Sequence, residues 1–144
     1  YGKYAVISPE PEEDAIRHVN EWARRLKMDA PRVIGWDFPA VSQEQANVFG
    51  MHGYAAALVL KSGEPDEDLG TEIFWQEKQK YAMITIRESQ QSPFCLIPNA
   101  YKVLMAHMKV NGLKEKRDKN VISCFEREYE IDGVWHMDVH IAVE

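Results

Sequence analysis

Apolar and polar positions alternate along this chain in two periods, and the two periods mark out its elements. Lys3–Ser8 is a short β-leaning run closed by Ser8-Pro9-Glu10-Pro11. Ala15, Ile16, Val19, Trp22, Ala23 and Leu26 then recur every three or four residues, the spacing of one helix face. Proline and the acids Glu10, Glu12, Glu13 and Asp14 open this stretch, while Arg24, Arg25 and Lys27 close it, as the helix dipole favours. The pattern predicts a helix over residues 10–28. Arg32–Phe38 (RVIGWDF) reads as a strand with Ile34, Trp36 and Phe38 on one face, stopped by Pro39. Ser42–Phe49 is a polar connection. Gly53–Leu60, apolar on both faces, reads as a central strand, and the acidic Lys61–Gly70 as a solvated loop.

The second half repeats this order. Lys80–Arg87 (KYAMITIR) is a strand rich in β-branched and aromatic residues. Pro98 opens a helix whose Tyr101, Leu104, Met105 and Met108 share a face, and Asn111-Gly112 ends it. Val121–Glu130 and Trp135–Val143 are strands joined across Ile131-Asp132-Gly133, where Asp-Gly signals a hairpin. Each half is thus strand, helix, strand, strand, over about 1–62 and 78–144, a duplication resting on element order alone. The expected fold is a single α+β domain over residues 1–144. It has a six-stranded antiparallel sheet, with both helices on one face and the other face left for something to cover.

Composition narrows the class. The 144 residues carry 17 basic and 23 acidic side chains, a net charge of −6 that disfavours contact with phosphate backbones. Apolar content of 45% supports a real core, and no apolar run reaches the ~20 residues of a membrane span. Two cysteines, Cys95 and Cys124, suit a reducing cytoplasm better than a disulfide scaffold. Tyr1 in place of an initiator Met points to a piece of something longer.

Candidate chemistry gathers on the later strands. The aromatics Trp36, Phe38, Tyr54, Trp75, Tyr81, Phe94, Phe125, Tyr129 and Trp135 fall on strands or their edges, and read either as sheet core or as the wall of a shared cavity. In Cys124–Glu130, strand alternation sends Glu126 and Glu128 one way and Phe125, Arg127 and Tyr129 the other. An acid among aromatic walls suits a lipophilic cation, whereas wet or Arg127-paired glutamates are the plain alternative. His136, Asp138 and His140 share one strand face and read as its solvent-facing polar side rather than as metal ligands. His18, His52 and His107 read as surface groups, and Cys95 as a small buried hydrophobe. No nucleophile elbow, P-loop or dinucleotide-binding glycine motif is present.

Several stretches together resemble the GyrI-like effector-binding domain, in the version that follows helix-turn-helix modules in AraC-type transcriptional regulators. They are SPEPEEDAIRHVNEWARRL, RVIGWDFPAVSQEQANVFGMHGYAAALVL, YAMITI, PFCLIPNAYKVL and CFEREYEIDGVWHMDVHI, running from about Tyr4 to Val143. The resemblance implies a duplicated strand-helix-strand-strand fold around a central cavity for hydrophobic, often cationic, small molecules. It implies Glu126 as the acid of that cavity, with Glu128 as the fallback one register step away. Trp36, Phe38, Tyr54, Tyr81 and Trp135 would supply the walls. No cofactor, metal or catalytic residue is implied, and a homodimer is compatible with it. DNA would be reached only through a helix-turn-helix domain missing from these residues, because about 70 residues separate the two helices where that motif needs a 3–4-residue turn. The leading expectation is therefore a cytoplasmic effector-binding domain of a bacterial transcription regulator. The alternatives are a free-standing relative that sequesters or hydrolyses reactive small molecules with Glu126 as general base, and an inhibitory module acting through the Glu64–Asp68 loop.

Overall fold

A computed structural model describes residues 1–37, 47, 50–61 and 72–144, and the chain divides into two units, Tyr1–Trp75 and Gln76–Glu144. Among the described residues the fold is α+β, built from antiparallel strands and two long helices.

The N-terminal unit begins with β1 (Gly2–Ser8) and α1 (Pro11–Arg25), followed by β2 (Val33–Asp37), β3 (His52–Leu58) and the two-residue β4 (Glu72–Ile73). Its strands lie in the order β4-β1-β3-β2, every pair antiparallel. The sequence pattern omits β4, which is held by Lys3 Nζ at 2.7 Å from Glu72 and by Tyr1 stacked on Phe74 with centroids 5.0 Å apart. α1 buries the predicted face: Ala15, Val19, Trp22 and Ala23 pack on Tyr54, Ala56 and Leu58. Gly35 on β2 leaves room for Tyr54, since a methyl there would sit 2.6 and 2.7 Å from Cζ and Cε1 of that ring. His18, expected at the surface, is partly covered. Its ring stacks on Tyr4 at 4.0 Å and meets Trp22 edge-on at 4.9 Å, because it lies one turn before Trp22 on the same flank.

The C-terminal unit contains β5 (Tyr81–Arg87), α2 (Pro93–Val110), β6 (Cys124–Ile131) and β7 (Val134–Ala142), with strand order β6-β7-β5. The Ile131–Val134 turn closes the β6–β7 hairpin through Asp132 and Gly133, both at positive φ. α2 starts at Pro93 instead of Pro98, and Pro98 sits inside it. Proline at the first helical position is the standard opening, and a second proline five residues later mimics it in the sequence. The displaced start changes two expectations. Phe94 is 94% exposed and Cys95 is exposed, because both fall on the outward side of the new first turn. Ala100, Leu104 and Met108 cover Ile86, Met137, Val139 and Ile141, which forms this unit's core.

Both helices end in the same backbone turn. After α1, Lys27 N–H donates to Arg24 O at 3.1 Å and Met28 N–H to Ala23 O at 3.0 Å. After α2, Gly112 N–H donates to Lys109 O at 3.3 Å and Leu113 N–H to Met108 O at 2.9 Å. Each is the paired bond set of a Schellman motif, with Lys27 (φ 51°) and Gly112 (φ 67°) in the left-handed position. Among the described residues, no helix is long and apolar enough to cross a membrane.

Candidate functional site

The β6 register decides which side chains meet α2. Cys124, Glu126 and Glu128 stand opposite Ile141, Val139 and Met137, the residues that α2 covers. Both glutamates therefore point to the helix side, on one face as strand alternation predicts. Glu126 accepts a hydrogen bond from Tyr101 Oη of α2 at 2.7 Å. Glu128 lies nearer the hairpin and accepts from Ser89 Oγ at 3.2 Å.

Beside this pair lies a cavity of about 430 Å³. Tyr101, Met105 and Met108 form its α2 wall, and Cys124 and Ile141 belong to its strand side. Leu113, Glu115 and Arg117 come from the segment after α2, which main-chain bonds tie down: Lys116 N–H to Ala142 O at 2.9 Å and Glu144 N–H to Lys114 O at 3.0 Å. Lys109 joins them, and Arg117 pairs with Glu115 at 3.1 Å. The walls are thus largely apolar, the charges cluster on Lys109 and the tied segment, and Tyr101 separates the cavity from the Glu126 carboxylate. Burial, reinforced by the Glu126 charge, pushes the Tyr101 phenol far above its ordinary range, so it stays protonated and donating. Burial likewise raises the Cys124 thiol, which keeps it protonated and poorly nucleophilic near neutral pH.

Within the C-terminal unit, the expected wall residues Tyr81 and Trp135 stand apart from the Tyr101–Glu126 pair. Tyr81 lies on the opposite face of the C-terminal strands. Its ring meets Phe125 edge-on at 5.1 Å, and its hydroxyl donates to Ile122 O at 2.8 Å while accepting from Gln76 Nε2 at 3.0 Å. Trp135 is on the α2 side, but at the hairpin end of β7 opposite Glu130, beside a separate 240 Å³ hollow with Gly133 and Gln91. In the N-terminal unit, Tyr54 is core beneath α1, while Trp36 stands on the other face, paired with Ala55. Phe38 and the Glu64–Asp68 loop lie outside the described residues. A ring that reaches Glu126 is Tyr101, which the sequence pattern places only on a helix core face. A buried tyrosine needs a partner for its hydroxyl and a part-buried carboxylate needs a donor, so the two requirements together were the available signal.

The His136-Asp138-His140 face is not the wet surface expected of it. Asp138 and His140 are buried, because neighbouring strands supply caps. Asp138 Oδ1 accepts from Thr85 Oγ1 at 2.7 Å and from Tyr129 Oη at 3.0 Å. His140 stacks on Phe125 at 4.2 Å, and His136 on Tyr129 at 5.5 Å. Arg127 lies over the same Tyr129 ring at 5.0 Å. Among the described residues, no three His, Cys, Asp or Glu side chains gather as a metal site. No family model matches the chain, and neither a curated protein nor a solved structure matches it.

Proposed function

We propose that this chain binds a small hydrophobic cation in the cavity beside α2, as the cytoplasmic effector-binding part of a transcription regulator. The observation that carries the reading is the Glu126 carboxylate held behind Tyr101, a wall residue of a largely apolar, 430 Å³ cavity. That volume lies within the 300–1,000 Å³ typical of drug-sized ligand sites. Burial of an apolar ligand against Met105, Met108 and Ile141 would supply affinity at about 25 cal/mol per Å², and flexible methionines would tolerate varied shapes. Glu126 would set the preference for positive charge once Tyr101 swings aside, since a part-buried carboxylate gains more from a cation than from a neutral phenol.

The regulator role rests on the resemblance to GyrI-like domains, and DNA contacts on this reading belong to a helix-turn-helix domain outside these residues. A duplicated ancestry for the two units fits their shared element order and their shared strand order, second-third-first. Two free thiols fit a reducing compartment.

Calorimetry with tetraphenylphosphonium tests the reading. Micromolar binding is expected, weakened about 10-fold or more in Glu126→Gln, the worth of a charge-assisted contact, and little changed in Glu128→Gln. Tyr101→Phe is expected to bind more tightly, since the carboxylate then has one competitor fewer. Bound cation should also slow alkylation of Cys124 while leaving Cys95 reactive. Equal losses in the two glutamate variants would remove Glu126 from its role.

A further inference from the structure

We infer that β5 is the seam of a symmetric dimer, in which two copies of this chain pair β5 against β5 in antiparallel fashion. Among the described residues β5 pairs with β7 alone and ends its unit's strand order. An edge of this kind offers a row of main-chain donors and acceptors to another strand, and proteins usually blunt it with charge, proline or a bulge. Between Tyr81 and Ile86 there is neither charge nor proline, and Met83 is 53% exposed.

The strand is also complementary to itself. Antiparallel pairing centred on Ile84 sets Ala82 against Ile86 and Met83 against Thr85 of the second copy. Just beyond the paired residues at each end, Lys80 comes near Glu88, which leaves the strand at a φ of 57°; both are exposed and of opposite sign. A two-fold axis makes each of these contacts twice. The C-terminal unit raises no general repulsion against such a partner. Residues 76–144 carry ten acidic and ten basic side chains, whereas residues 1–75 carry thirteen and seven.

α2 supplies a second, independent match. Residues seven apart return to nearly the same side of a helix, which places Leu96, Val103 and Val110 in one stripe. This flank lies opposite Tyr101, Met105 and Lys109, which line the cavity beside Cys124 of β6. The stripe therefore faces away from β6; Leu96 at its start packs against the core, while Val103 is 56% and Val110 86% exposed. A helix seated over β5 and β7 would come about 10 Å from its mate across a shared seam, close to the 8–10 Å separation of packed helices. One association would thus satisfy the edge and cover the stripe. It uses no residue of the proposed ligand cavity, so the two readings stand or fall separately.

Sedimentation velocity on the whole chain, from about 1 to about 100 µM, tests the seam at the concentrations where modest interfaces assemble. Dimer mass is expected, and Val103→Glu should give monomer with unchanged circular dichroism, since the residue is exposed. Lys80→Glu or Glu88→Lys alone should weaken the dimer about 3- to 10-fold by setting like charges face to face, and the double variant K80E/E88K should restore it. A chain monomeric throughout, a dimer indifferent to the single reversals, or a double variant no better than the singles would each overturn the proposal. Pairing of β5 with some other protein's strand would appear as the first of these.

Discussion

Gly35 shows how one side chain's absence can be a packing element. Its backbone is not in the left-handed region, so conformational freedom does not explain it; the Tyr54 ring occupies the space where a side chain would go. Gly35→Ala is expected to destabilise by about 2–3 kcal/mol, the usual cost of overfilling a rigid site. Urea denaturation checks it, and a smaller ring-free residue at position 54 should lower that cost in a double-mutant cycle. The glycine was legible in RVIGWDF only as a weak strand residue, because its partner is nineteen positions away in sequence. Glu126 and Glu128 were easier. A two-residue period puts both on one face whatever covers it, whereas knowing that α2 covers that face requires the tertiary contact to Tyr101.

The two helix ends give the same comparison for elements. Gly112 takes the left-handed position after α2 at no steric cost, and Lys27 takes it after α1 against the penalty that any Cβ brings there. Lys27 is exposed, and Lys27→Gly is expected to stabilise the protein by about 0.5–1 kcal/mol, read as a higher urea midpoint with an unchanged slope. The same contrast explains the boundaries. Asn111-Gly112 announced the end of α2, while α1 ran three residues long in the sequence reading because a lysine does not announce a stop. Residues 10–28 still gave the right buried face, since Ala15, Val19, Trp22 and Ala23 obey a strong period. Pro98 misplaced the start of α2 because two prolines, five residues apart, both suit a first turn.

For the whole molecule, acid and base act unequally. The phenols of Tyr1, Tyr101 and Tyr129 are all raised above the ordinary value near 10, chiefly by burial, with Glu126 adding to the effect at Tyr101 and Asp138 at Tyr129. The unfolded chain releases these protons near pH 10 and the folded chain holds them longer. Their contribution is therefore complete below pH 10 and declines as pH rises beyond it, most of it from Tyr101, since solvent screens the more exposed Tyr1 and Tyr129. Urea midpoints between about pH 9 and 11 should fall accordingly, with a shallower fall in Tyr101→Phe; equal slopes would mean that Tyr101 ionises freely. The register has a consequence in time as well. β6 and β7 meet across a tight turn, but Tyr81 must find Ala142 some 60 residues along the chain, and such distant pairings form late. Within the C-terminal unit, the strand that docks last is the one on the rim. A newly made chain therefore passes through a stage when β7 can accept β5 from itself or from a neighbour, and the concentration of chains decides how often strands are exchanged.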